Sequence, residues 1–330
     1  MYIFDRIVVL RAAVGGRQSV DSMMSSGAGG PAAPPPVSRE AIAALQGQPQ
    51  FEEAVRRSAR FFIALHQGER LAGWILGDRA RALFGFILLN LHATARGDDP
   101  RSGLTVSRVK ETCVAVGLCS AGRAGAMLSL LRAAGYVATM PSAEDARVRR
   151  LVPTHKLLDM VRHRIKGHFE CVGPLVPAAA ASLPLMGRDD FVYAMVQALN
   201  DFFIAGFRIL HHVPELGLFA ERSAATVMLF DLLLAGENGD SFPPQKPVPF
   251  SISDLARRFR VSRTHVLRLF RKAEESGLLA RVGARGEAVQ LSPELGQAAL
   301  DLLTTSILFL AAGADVALAE FDRREQRALS

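Results

Sequence analysis

The chain has 330 residues, 49% of them hydrophobic, and 39 Lys and Arg against 32 Asp and Glu give it a formal net charge of +7. That length and apolar share allow the core of about two ordinary domains and exclude a wholly disordered chain. Three cysteines, Cys113, Cys119 and Cys171, exclude a secreted disulfide scaffold and predict a cytoplasmic protein, while the basic balance suits a polyanionic partner such as nucleic acid.

In chain order, residues 1–49 are expected to be a disordered tail, because 25–37 reads SSGAGGPAAPPPV and cannot bury a core. The apolar stretch at 7–14 is interrupted by Arg11, and the run at 307–314 is too short to cross a bilayer, so neither a signal segment nor a membrane span is read. A helical pattern follows, and a Pro/Ala-rich linker, 172–187, separates a first half, 50–171, from a second, 188–330. The halves echo each other. FFIA recurs at 61–64 and 202–205, Thr105-Val106-Ser107 is answered by Ser251-Ile252-Ser253, Gly135-Tyr136-Val137 by Gly277-Leu278-Leu279, and Leu151-Val152-Pro153 by Leu291-Ser292-Pro293. The offset stays near 140–146, which argues for duplication.

Each half reads as long helices, then a compact helix–helix–hairpin unit, then another helix. In the second half Ser251 with Asp254 forms a capping-box pattern. Ser262 caps the next helix, along which Val266, Leu269, Phe270 and Ala273 form one buried stripe. Gly277 suits the left-handed stop. Residues 279–282 and 288–291 read as strands about a Gly-flanked turn, and Pro293 opens the last helix. In the first half Thr105 and Ser120 are the caps, and Ala124, Met127, Leu128 and Leu131 are the buried stripe.

A short helix, a tight turn and a longer capped helix form a helix-turn-helix, and the hairpin after it is a wing. The expected fold is mainly α with small β wings: two tandem winged helix-turn-helix units joined by long packed helices. Such a unit offers its second helix to the major groove. In the second half that helix carries Ser262, Arg263, Thr264, His265, Arg268, Arg271 and Lys272. Arginine there can donate two parallel bonds to guanine, and the later cations suit phosphate. Arg257, Arg258 and Arg260 are expected to reach the DNA backbone, and Arg281 and Arg285 sit on the wing. Between 251 and 290 nine basic residues face four acidic ones, an excess of five. The first half is the poorer reader: Ser120 and Arg123 on its helix, and Arg147, Arg149 and Arg150 on its wing, suit backbone contact.

The stretch SISDLARRFRVSRTHVLRLFRKAEESGLL, followed by a hairpin and LSPE, resembles the winged helix-turn-helix of bacterial regulators, especially the multiple-antibiotic-resistance (MarR-like) family. The resemblance covers about residues 51–320 if both halves count. It implies a sequence-specific double-stranded DNA-binding transcriptional regulator, acting by repression through occlusion, and flanking helices that build a dimer interface. Members usually carry one unit per chain and act as homodimers. This chain fuses two, so it resembles a single-chain pseudo-dimer acting as a monomer, with a homodimer as the other arrangement. The resemblance also implies a small aromatic effector, for which Phe61, Phe62, Trp74, Phe202, Phe203 and Phe207 could line a pocket; plain core packing is the favoured reading of those residues. Cys113 and Cys119 could act as oxidant sensors, but Cys113 falls among Val109, Val114 and Val116 and reads as a buried, inert thiol. His155, His163, His168 and Cys171 match no common zinc spacing, and no catalytic motif is present, so no metal, cofactor or enzyme activity is read. The alternatives are a plasmid-type replication initiator and an interaction scaffold whose winged helices no longer bind DNA.

Overall fold

A computed structural model describes residues 37–68, 79–96, 102–140, 150–236 and 241–329, all within the unit Ala33–Ser330. Ser38 Oγ accepts the Ala41 N–H at 3.1 Å and starts α1 (Arg39–Gln46), which lies inside the segment expected as a tail. Ile42 and Leu45, three apart, bury one face of α1, so the tail boundary at 49 was set too late. The rest of that tail, 1–36, lies outside the described residues.

The first half continues with α2 (Phe51–Gln67), α3 (Arg79–Ala93), α4 (Val106–Ala115), α5 (Ala121–Ala133), β1 (Val137–Met140), β2 (Arg150–Pro153) and α6 (His155–Val172). The second half holds α8 (Asp189–Ile204), the short α9 (Gly217–Ala220), α10 (Ala225–Leu234), β3 (Val248–Pro249), α11 (Ile252–Arg258), α12 (Arg263–Glu275), β4 (Leu279–Val282), β5 (Ala288–Leu291) and α13 (Pro293–Leu329). The fold is mainly helical, with two small antiparallel sheets ordered β1-β2 and β3-β5-β4.

The segment expected as a linker is instead helical. Pro177 occupies the first turn of α7 (Pro177–Ser182), where its missing N–H costs nothing. The alanines behind it are small enough for Ala178 and Ala179 to be buried, and α7 packs on α6 and α13. α8 stops at Ile204, two residues before Gly206, which takes a left-handed φ of +104°.

The halves interlock through their long helices. α2 packs on α6 of its own half and on α10 of the other; α8 packs on α13 of its own half and on α3 of the other. The same partnership thus recurs in exchanged form. Asn200, buried in α8, bridges the halves by donating to the Phe86 carbonyl at 3.1 Å and to the Val196 carbonyl at 2.8 Å. α13 is long and apolar enough to cross a membrane, yet most of its apolar window is buried against α1, α7 and α8.

Each last helix approaches its partner through a glycine. The Phe61 ring fills the notch at Gly167 of α6, and Leu199 fills the notch at Gly313 of α13. The counterpart of Phe61 is therefore Leu199, about one helical turn before the second FFIA match. A Cβ at Gly313 would lie 2.6 Å from Leu199 Cδ2 and 2.9 Å from Cγ, and Leu199 is only 3% exposed. Gly313→Ala is expected to lower stability by about 1–3 kcal/mol, outweighing the roughly 1 kcal/mol that alanine gains in helix propensity. A reduced denaturant midpoint at unchanged slope is the readout; an unchanged or raised midpoint would contradict this close packing.

Candidate nucleic-acid interface

The two helix–helix–hairpin units are built alike. Thr105, Ser120, Ser251 and Ser262 each accept a backbone N–H three residues ahead, at 3.1–3.3 Å, and so start α4, α5, α11 and α12. Asp254 does not complete the capping box from its side, because its carboxylate is taken by Arg257 and by Arg258 at 3.5 Å. The buried residues of α5 are Ala124, Met127, Leu128 and Leu131, and those of α12 are Val266, Leu269, Phe270 and Ala273, the stripes expected from the spacing. Gly135 and Gly277 end these helices at φ +77° and +70°. Val137 then faces Pro153 across one hairpin and Leu279 faces Leu291 across the other.

The segment before each first helix joins the hairpin, as a strand in the second unit and through one hydrogen bond in the first. Val248 pairs with Val289, and in the first unit the Leu104 carbonyl accepts the Leu151 N–H at 2.9 Å. The Tyr136 carbonyl accepts from Thr154 and the Leu278 carbonyl from Ser292, both at 3.0 Å. Thr154 is thus the counterpart of Ser292, two residues away from the register suggested by Leu151-Val152-Pro153 and Leu291-Ser292-Pro293.

Packing of these stripes leaves Arg263, Thr264, Arg268, Arg271 and Lys272 exposed along α12. Among the described residues neither Arg263 nor Arg268 has a hydrogen-bond or ion-pair partner in the protein. Arg271 and Lys272 share Glu275 at 3.7 and 3.4 Å, contacts of the surface kind worth about 0–1 kcal/mol and easily exchanged for phosphate. Arg285 is exposed at the hairpin tip, where its N–H donates to Glu287 Oε2 at 2.9 Å. Ser262 is occupied as the cap of α12 but remains exposed at its start.

Four of the expected contacts are committed elsewhere. Arg258 makes a two-pronged ion pair with Asp231 of α10, which explains why its guanidinium is held in the charged form. Arg260 donates to the carbonyls of Gln67 and Gly68. His265 Nε2 lies 3.0 Å from the Ser223 carbonyl. Arg281 clasps Glu274 through its backbone N–H and its guanidinium, which holds that carboxyl below its ordinary range and ties the hairpin to α12. Arg257 stays largely exposed while pairing with Asp254. Asp231, Ser223, Glu274 and Glu287 organise the site and were not found from sequence, since no local pattern marks an acid or carbonyl that a distant turn brings alongside.

The first unit offers a different face. Ser120 and Arg123 are exposed, and Arg132 donates to Thr139 Oγ1 at 3.0 Å. The same unit exposes apolar side chains: Val106, Leu130 and Val114 are 37%, 39% and 54% exposed. Arg150 is half-buried on β2, and Arg147 and Arg149 lie outside the described residues.

Of the aromatic residues weighed as a pocket, Phe61, Phe62, Phe202 and Phe207 pack on other rings of the core. Phe61 meets His168 edge-on, Phe62 lies against His168 and Phe230, and Phe207 stacks on Phe309. The gap beside Phe203, lined also by Leu83, Phe86, Leu199 and Phe309, has room for about one water. Trp74 lies outside the described residues. Burial pushes the Cys113 thiol up to about 12, with neighbouring Cys119 adding to the shift, and Cys171 is raised by burial as well. His155 faces Asp189, His163 packs on Phe61, and His168 is buried beside Ser58 and against the same Phe61 ring. No family model, curated protein or solved structure matches the chain.

Proposed function

We propose that the chain is a sequence-specific double-stranded DNA-binding transcriptional regulator, acting as a repressor by occlusion, with two winged helix-turn-helix units in one polypeptide. The observation that carries the reading is the pair Arg263 and Arg268, exposed on a capped helix after a tight turn and left without protein partners among the described residues. Guanidinium groups so placed match the acceptor pair on the major-groove edge of guanine. Arg257, Arg271 and Lys272 flank them as phosphate contacts, and Arg285 at the wing tip suits a narrow minor groove.

The two units divide the work. The second reads bases, and the first grips backbone through its wing. The exposed Val106, Val114 and Leu130 favour a second reading for the first unit alone, as a protein-binding winged helix.

A mobility-shift titration tests the mechanism. Neutralising about four phosphates predicts a slope of about −4 in log affinity against log salt, so that affinity falls by about two orders of magnitude between 50 and 200 mM salt. Selection from random duplexes should return one preferred sequence. Salt-insensitive binding, or selection that enriches nothing, would remove the proposal.

A further inference from the structure

Arg260 lies in the turn between α11 and α12, and its guanidinium reaches to the other half of the molecule. Nη2 donates to the Gln67 carbonyl at 2.9 Å and Nη1 to the Gly68 carbonyl at 3.1 Å, at the C-terminal end of α2. A helix C-terminus presents unpaired carbonyls and the negative pole of its dipole, and a two-pronged cation satisfies both. His66, just before these carbonyls, meets Phe259 edge-on at 5.9 Å.

Arg260 holds a left-handed φ of +55°. The equivalent turn position of the first unit is Gly117, at +65°, the residue type that adopts this conformation freely. An arginine kept in a glycine conformation is explained by what its side chain holds.

The first unit has the converse contact. The carbonyl of Val116, beside Gly117, accepts from Arg208 Nη2 at 3.1 Å. Arg208 follows α8 and also donates to the carbonyl of Phe203, in that helix's last turn, and to that of Phe207, just beyond its end. In both units, one arginine therefore joins the inter-helix turn to the end of the other half's first long helix.

We infer that Arg260 and Arg208 are positioning residues that lock α12 and α5 to the opposite half, and that Arg260 makes no contact with nucleic acid. The lock stands on the contacts alone. Its consequence, a fixed spacing between the two helices presented to DNA, rests on the function proposed above.

Hydrogen exchange on the full chain without DNA is the first test. Arg260→Gly keeps a residue suited to the turn, so the fold is retained. Exchange at the start of α12 and the end of α2 is expected to rise about tenfold or more, while α5 is unchanged. Arg208→Gln is expected to loosen the α4–α5 turn and leave α12 as it was, and Arg260→Lys, with one ammonium for two carbonyls, should fall between wild type and Arg260→Gly. The second test is a hydroxyl-radical footprint on a duplex bearing one copy of the selected sequence. The wild type should protect flanking backbone at one fixed distance from that sequence, whereas Arg260→Gly should keep the protection over the sequence and lose the sharp flanking footprint. Unchanged exchange at α2 and α12, with uniform loss of affinity and a salt slope smaller by about 1, would instead make Arg260 a phosphate contact and overturn the inference. If the chain binds no duplex, the exchange result alone still decides the lock, so the two readings fail separately.

Discussion

Replacing Arg263 and Arg268 together by alanine is expected to abolish sequence preference while leaving the fold intact. Each two-pronged arginine–guanine contact discriminates by about 1–3 kcal/mol, so the pair accounts for about 2–6 kcal/mol, or roughly 30-fold to 10⁴-fold. Both side chains are exposed and hold nothing else in place among the described residues, so stability should change by about 0.5 kcal/mol or less. Competition between the selected duplex and a scrambled one reads the effect directly: the affinity ratio should fall towards one. Arg271→Ala and Lys272→Ala should behave differently, weakening every duplex alike and reducing the salt slope by about 1 each. If the double variant also weakened both duplexes equally, base reading would have to be assigned to other residues.

Acid is expected to unfold this protein from a single buried ring. His168 is 3% exposed, its Nδ1 lies 2.9 Å from Ser58 Oγ, and its Nε2 has no hydrogen-bond partner. Burial, helped by the charge of Arg164, pushes it down to about 3. The unfolded chain takes up this proton near pH 6.5, whereas the folded chain refuses it until about pH 3. Stability is therefore fully present above pH 6.5 and is lost as pH falls, at about 1.4 kcal/mol per unit and about 5 kcal/mol over the whole window. That is comparable with the entire stability of many domains. His66, His92 and His212 are also lowered by burial and add in the same direction. The carboxylates held below their ordinary range, Glu40, Asp190 and Glu274, act only below about pH 4.5. Asp201 and Asp315, raised by burial, act in the opposite sense, so the difference between His168→Gln and wild type in denaturant midpoints between pH 4.5 and 6.5 is what isolates this ring. His168→Gln should flatten the slope there by about one proton; parallel slopes in variant and wild type would refute the assignment.

Much of the fold was legible because local chemistry decides it. The caps Thr105, Ser120, Ser251 and Ser262 and both four-residue stripes needed only spacing, and Gly277 needed only its missing Cβ. The linker was misread because Pro and Ala signal flexibility in a composition, whereas Pro177 fits the first turn of a helix and its alanines let α7 come close to its neighbours. The repeat was seen at the wrong register around FFIA, since a helix face returns after about one turn and resembles itself. The candidate site was legible for charge but not for commitment. Nothing near Arg258 announces Asp231, 27 positions away, and nothing near Arg260 announces the Gln67 carbonyl, 193 positions away.

Because α7 carries the chain from one half into the other, the partners cannot be chosen anew. Two unlike subunits made separately would assort into like and unlike pairs, and only a fraction would hold one of each. Here every molecule contains both units, in a ratio of one to one at any concentration. Substitutions can then accumulate in either unit without ever producing a symmetric competitor.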